Sequence, residues 1–566
     1  MSAITPDTDV ILLKVPLEIT QENQLTFANA TAQYNYFHGL TGKLELQDFT
    51  YQRKDGVIRC GVLADDLYQY NYVMYRNNGF SNKWFYAFID KVEYLNHNTS
   101  AISIRTDVWQ TWQFDLTYKK TFVEREHVND DTIGKHTVPE GLDLGEYLIQ
   151  GYTQLSLINT PPPSGTPKWW VVFSVTQPPY NGMTAPTGGH TIGDTPTGLL
   201  NIAVPIDSNM ASLRNLLILY NAPKDNPFDT GGTTADAVIN IYMVPYTCIA
   251  TSDTQTWSHT VGTSTISVTV YGIVNKITFS NSDIDQSTSL AGSFTPKNKK
   301  LYTYPYSYLY LSNKAGQDVI YKWEDGKSVT ATTGKTGQQY KFDTSIVPSA
   351  SLSAKLYPTT YKGQTAPSVA TSLWNYGINF GKLPICAWVN DYYTNWLTQN
   401  GVNIATNVLS SSLHGGMSGF SGGGAAGAAS SAGVNAGFAV LNAVSESITA
   451  SKVPDQAHGD LNVGDVLFAS TECSISAYKM TIRPEIAAIA DDYFSMYGYK
   501  VNSVKIPNVT GRTNWNYVKT IGCYIKADIP QEDLKEIKNM FNNGVTFWHN
   551  PSTFADYSQS NAIVTP

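Results

Sequence analysis

The chain has 566 residues, of which 42% are apolar and only 15% charged, with a formal charge of -8. That length calls for several domains, the apolar content excludes global disorder, and the acidic balance excludes tight sequence-neutral binding of nucleic acid, which needs clustered Lys and Arg. The 36 tyrosines, together with abundant Thr, Ser, Asn and Gly, favour strands and turns, so the chain is expected to be mainly β. Five widely spaced cysteines (Cys60, Cys248, Cys386, Cys473 and Cys523) form no CxxC pair and read as buried free thiols of a protein assembled in reducing cytosol. Met1 to Val10 lacks a signal-peptide pattern, and no run of about 20 large apolar residues predicts a conventional spanning helix.

In chain order, Ile58 to Leu63 follows Asp55-Gly56, a hairpin cue. Lys83 to Ile89 reads as a strand buried on both faces, whereas Ala101 to Thr106 alternates as a half-exposed strand does. From about Gln150 to Val369 the composition shifts. Loops at Pro161-Pro162-Pro163, Pro178-Pro179 and Tyr180 to Gly198 separate strands such as Trp169 to Val175 and Ile266 to Val270. This region reads as a β-rich domain inserted into the first. Three helices are predicted later: Val389 to Asn400 with Tyr392, Tyr393, Trp396 and Leu397 on one stripe, Arg483 to Tyr497, and a helix capped by Asp528 with Pro530 in its first turn. The last carries Leu534, Ile537 and Phe541 on one face and ends at Asn543-Gly544.

One segment stands apart. From Tyr392 to Ser445, about 54 residues, there is no Asp, Glu, Lys or Arg. At this chain's own charged fraction a given window of that length is charge-free roughly once in several thousand draws, so chance is a poor account of it. Gly415, Gly419, Gly423 and Gly427 recur every fourth residue, with Met417 and Phe420 between them. Wound as a helix they form the small-xxx-small face that lets helices approach closely in membranes. Gly433 and Gly437 then lead into Val434, Phe438, Leu441, Val444 and Ile448, an apolar stripe at helical spacing, and Val440 is a further apolar residue of the candidate membrane-active loop. A flexible linker is the plain alternative for a Gly/Ser tract. Linkers, however, rarely carry Met, Phe, Val and Leu, rarely exclude charge completely, and have no reason to space glycine by four. Each glycine costs a helix about 1 kcal/mol, so the segment is expected to be poorly ordered until it meets lipid or sister copies.

No HExxH, GxSxG or Walker loop is present, and no cofactor or metal is expected. Glu124-Arg125-Glu126-His127 reads as an ion network rather than an acid–base centre. Asp130-Asp131 reads as a turn, Asp491-Asp492 as part of a helix's first turns, and His190 and His259 as loop residues.

Several stretches resemble the tail knob (distal tail tube) proteins of small, protein-primed podophages of Gram-positive bacteria. In the first region they are Gln33-Tyr34-Asn35-Tyr36-Phe37, Asn82 to Phe88, Asp107-Val108-Trp109-Gln110-Thr111-Trp112, Arg125-Glu126-His127-Val128, Glu140-Gly141-Leu142 and Glu146-Tyr147. In the last region they are Asn390-Asp391-Tyr392, Tyr497-Gly498-Tyr499-Lys500-Val501-Asn502, Asn516-Tyr517-Val518 and Phe541 to His549. The middle carries no such match. The resemblance implies a structural virion protein and no enzyme: a β-sandwich or barrel tube domain closing into a hexameric ring at the distal end of the tail, in contact with other phage tail proteins. It further implies a hydrophobic loop that plugs the channel and then enters the host cell membrane, opening a pore for phage DNA that passes without sequence-specific binding. That loop falls between the Asn-Asp-Tyr and Tyr-Gly-Tyr-Lys motifs, which bracket the charge-free segment. The expected layout is tube at 1–150, inserted knob domain at 151–369, return to the tube at 370–402, membrane-active loop at 403–451 and tube again at 452–566. The rival functions are a receptor-binding adhesin acting through the middle domain and a wall hydrolase.

Overall fold

The computed structural model describes residues 8–49, 56–77, 83–157, 162–207, 209–222, 237–261, 263–314, 316–329, 337–349, 353–365, 372–380 and 474–564. Their contacts divide the chain into two mainly β units, one drawn from residues 1–146, 292–306 and 482–566, the other from 147–291 and 307–481.

Among its described residues the first unit holds two large sheets and a two-stranded one that pairs Thr117–Tyr118 with Ile525–Lys526. Six antiparallel strands run in the order Leu44–Phe49, Thr8–Leu13, Tyr72–Asn77, Trp84–Asn96, Thr99–Thr106 and Val57–Cys60. Tyr86, Ala87 and Phe88 are buried on both faces, as the uninterrupted apolar run predicts. Further along the same strand, from Asp90 to Asn96, the side chains emerge toward solvent. Ile102, Ile104 and Thr106 are buried while Arg105 is exposed, which is the expected alternation. The Asp55-Gly56 cue does not make a local hairpin. Val57–Cys60 pairs with Thr99–Thr106 on the far edge of the sheet from Leu44–Phe49, because Ile58 and Cys60 share a core with Val10, Val73 and Ala87.

The second sheet of this unit joins distant stretches: Asn23–Leu25, Val545–Trp548, Trp515–Ile521, Thr121–Glu126 and Tyr499–Lys505. Trp515 and Trp548 are opposed in register, with rings 5.2 Å apart, and pack with Phe37, Tyr72 and Tyr86 in one aromatic core. Against this sheet lies the helix Gln531–Asn543, whose buried face carries Leu534, Ile537, Met540 and Phe541. Pro530 occupies its N-cap position and no side chain caps it, so Asp528 does not have the capping role expected. Gly544 ends it with φ 98°, and a Cβ there would meet the Tyr517 hydroxyl at 2.2 Å. The helix Pro484–Tyr497 follows Arg483 as predicted, but Asp491 falls in its second half rather than its first turns.

The second unit is built on Trp169–Val175, buried at every residue and flanked by Val238–Pro245 and Leu200–Pro205. A strand covered on both faces has no polar side to show, which is why its sequence reads as a continuous apolar run. The long hairpin Ile249–Val261 with Ser264–Ile273 completes that sheet. His259 belongs to this hairpin and not to a loop, its ring stacked on Tyr180. The Tyr180 to Gly198 loop is tied down: the Asp253 carboxylate accepts from the backbone of Thr187 and Gly188 at 3.1 and 2.6 Å. Cys60, Cys248 and Cys523 are free and buried; burial pushes the Cys248 thiol up to about 12 and Cys523 to about 11, leaving little thiolate.

Candidate functional site

All the residues named for the membrane-active loop, from Gly415 to Val444, lie outside the described residues, as does the Val389 to Asn400 helix prediction. What the fold defines is the pair of chain ends between which that segment runs. The outgoing end is Ile378–Asn379, paired with Ser353–Pro358, after which Phe380 donates its N–H to the Ala354 carbonyl at 3.0 Å. Ser474–Ile482 forms the returning end, the second strand of a sheet ordered Tyr147–Ser156, Ser474–Ile482, Ser307–Ser312 and Asp318–Lys322. The two ends meet at one corner. Ser312 pairs with Ser476, and the next residue, Asn313, donates through Nδ2 to the Asn379 carbonyl at 3.0 Å. Ile378, Phe380, Ile475 and Ala477 are buried in the same core. Residues 381–473 therefore leave from and return to a single firmly packed neck.

No local signal in the sequence announces this neck. Tyr308, Leu309, Tyr310 and Leu311 alternate as a strand should, and so does Ser474 to Tyr478, yet nothing links two runs so far apart. The outer face of that sheet carries an aromatic row: Tyr478 lies 5.3 Å from Tyr152 and 6.1 Å from Tyr310, with Tyr152 and Ile320 about half exposed.

The carboxylates singled out in the sequence are structural pins within the first unit. The Glu140 side chain is fully buried and paired with both Arg125 and Lys300, and it accepts from the Lys500 N–H at 2.9 Å. Glu126 pairs with Lys505 and accepts from Asn508 N. Asp131 accepts from the Tyr499 hydroxyl at 2.6 Å and from Lys299 N at 3.0 Å, while Asp491 accepts from the backbone of Lys297 and Asn298. Glu140, Asp131 and Asp491 between them hold residues 297–300, the stretch by which the chain revisits this unit midway. Asp130 closes a turn with Thr132 and Lys135. His127 accepts at Nδ1 from Tyr517 N and donates from Nε2 to the Ser495 carbonyl, so it is neutral; burial, with Arg512 next, pushes it down to about 3. Among the described residues no cluster of metal-ligating side chains forms.

A second buried polar knot gathers the first-region motifs. Gln33 donates to the Gln110 carbonyl and side-chain oxygen, and Gln110 donates to Gln24 and the Leu25 carbonyl. Asp107 accepts from Gln110 N and the Tyr72 hydroxyl. Gly498, between the helix Pro484–Tyr497 and the strand Tyr499–Lys505, has φ 65°, and a Cβ there would meet the Glu126 carbonyl oxygen at 2.2 Å. Gly498→Ala is expected to destabilise the protein by at least about 2 kcal/mol, since both conformation and space oppose the methyl. Urea unfolding of the variant beside the parent chain measures it.

Among the described residues these features form a scaffold with no catalytic constellation, and the comparisons identify the kind of scaffold. The caudoviral major tail protein N-terminus matches residues 7–118, and the C-terminal domain of Bacillus phage phi29 tail knob protein gp9 matches residues 269–562. The fold is that of a structural protein of a phage tail, not an enzyme. More particularly, the chain belongs to the tail knob protein gp9 family, with more than half its length inside the matched domain. The tail knob proteins gp9 of Bacillus phages PZA and phi29 are 25% and 26% identical to it, each over 98% of both chains. The solved structure of the bacteriophage C1 tail knob protein, gp12, is similar over 98% of this chain and 100% of that one, with a TM-score of 0.60 and 15% identity, a likeness in fold. The chain is thus a virion component of the tail of a short-tailed phage.

Proposed function

We propose that copies of this chain form the distal conduit of the tail, six to a ring as the resemblance implies, through which the genome leaves without sequence-specific contact. The first unit and its late returns make the tube wall, and the middle residues make the bulk of the knob. In this reading the charge-free segment, with Gly415, Gly419, Gly423 and Gly427 on one stripe, Met417 and Phe420 between them, and Val434, Gly437, Phe438, Val440, Leu441 and Val444 following, plugs the channel. On contact with the cell it inserts in the host membrane and opens a pore. The chain is made and assembled in host cytoplasm, in keeping with its free buried thiols.

The observation that carries the reading is the uncharged run from Tyr392 to Ser445, with glycine at every fourth position from Gly415 to Gly427, inside the stretch 381–473 whose flanking ends meet at one packed neck. A neck of that kind lets a segment change its surroundings while the core that holds both ends stays folded. The test is dye release from liposomes by the full chain and by a deletion of Asn403 to Ser451, across a pH range. Leakage is expected from the full chain and is expected to disappear with the deletion. Equal leakage from both, or none from a full chain that still assembles into rings, would refute membrane insertion by this segment.

A further inference from the structure

Within the first unit, the C-terminal end of the helix Gln531–Asn543, the turn before Asn23–Leu25 and the end of Thr99–Thr106 enclose a cavity of about 230 Å³. Gln21 lines it, 4% exposed and at φ 58°, a left-handed conformation uncommon for a residue with a side chain. Its Nε2 donates to Glu536 Oε1 at 2.9 Å, and the Arg105 guanidinium meets the same oxygen at 2.9 Å. Because a carboxylate accepts only, it fixes which end of the amide faces it, and Gln21 Oε1 must be the atom left over. That oxygen is buried and makes no hydrogen bond among the described residues. A buried acceptor without a donor is costly, so something from outside is expected to supply one.

The electrostatics say what kind of donor. Glu22 and Glu536 oppose the single guanidinium of Arg105, which leaves the cavity net negative. Met540 and Asn543 bring the end of the helix into the lining, where the last carbonyls carry partial negative charge. The helix has no basic residue in its last turn to answer them. Ile19 and Met540 give the cavity an apolar wall. A positive head on an aliphatic stem matches all of these features at once.

We propose that this cavity is a socket for a lysine or arginine side chain presented by another polypeptide chain. The head donates to Gln21 Oε1 and Glu22 while the stem lies along Ile19 and Met540.

The test is saturation-transfer NMR on the full chain with Nα-acetyl-lysine methylamide, its arginine counterpart and its norleucine counterpart, which keeps the stem and lacks the charge. Transfer to the stem protons of the two cationic probes is expected, with binding about tenfold weaker in Glu22→Gln, the loss of one charge-assisted hydrogen bond. Glu22 is exposed, so that variant keeps its fold. Equal transfer to the norleucine probe, or unchanged binding by Glu22→Gln, would overturn the proposal. Native mass spectrometry of Glu22→Lys then identifies the source of the side chain. Loss of self-assembly marks a second copy as donor, and intact self-assembly marks a different tail protein; either result upholds the socket.

Discussion

Glu140→Ala is expected to cost the first unit about 3–5 kcal/mol, the loss typical of stripping one partner from a buried ion cluster. The carboxylate is fully buried, the Lys300 side chain is 2% exposed and that of Arg125 10% exposed, so neither cation has water to turn to once the acid is gone. The loss also frees the Lys500 N–H and loosens residues 297–300, which Glu140 holds to this unit together with Asp131 and Asp491. In thermal unfolding the midpoint is expected to fall by about 10 °C. Removing a cation as well, in Glu140→Ala with Lys300→Met, should recover part of the loss, because a buried charge without a counter-charge is the main penalty. A drop below about 1 kcal/mol for Glu140→Ala would mean that water reaches the cluster and that the carboxylate is not the pin inferred for it.

Much of the framework is legible in the sequence wherever a local rule acts alone. Trp169 to Val175 reads as a strand because no residue in it needs water, and Ala101 to Thr106 because its exposed and buried positions alternate. Leu534, Ile537 and Phe541 declare a helix face by spacing alone. Partnership is another matter. Val57–Cys60 finds Thr99–Thr106 rather than the strand before it, and Ser474–Ile482 finds Ser307–Ser312 across a gap of more than 150 residues. Those choices are made by cores assembled from several stretches, which no window of sequence contains. Likewise Asp131 and Asp491 look like members of acid pairs, but each serves as an acceptor for backbone N–H groups of residues 297–299. The charge-free segment is the opposite case: its composition is plain in the sequence, while only the neck at Asn313, Asn379 and Ser476 required the fold.

Asp107→Asn should steepen the protein's loss of stability on acidification and stabilise it at high pH. Burial pushes the Asp107 carboxyl up to about 7 from an ordinary 3.8. Between those values the native chain keeps a proton that the unfolded chain has released, so this group's contribution is fully present below about pH 4 and is lost as pH rises through 7. The buried histidines act in reverse. His127 is pushed down to about 3 and His549 to about 4, both by burial, so the unfolded chain takes up protons below 6.5 that the native chain refuses. Their contribution is present above pH 6.5 and is lost as pH falls. In the parent chain the ramps oppose each other between pH 4 and 6.5, and two histidines against one carboxyl leave a net fall in stability on acidification with about half the slope of the histidines alone. An asparagine at 107 resembles the protonated acid: its oxygen can accept from Gln110 N and its amide can donate to the Tyr72 oxygen. The variant is therefore expected to be more stable than the parent at pH 8, by at most about 4 kcal/mol, with the difference vanishing near pH 4. Its own stability should fall steadily on acidification, since only the histidine ramp remains. Urea midpoints at intervals from pH 4 to 8 separate the two chains; a difference independent of pH would mean that Asp107 is ionised in the native protein throughout, with water or an unrecognised donor inside the knot formed by Gln24, Gln33 and Gln110.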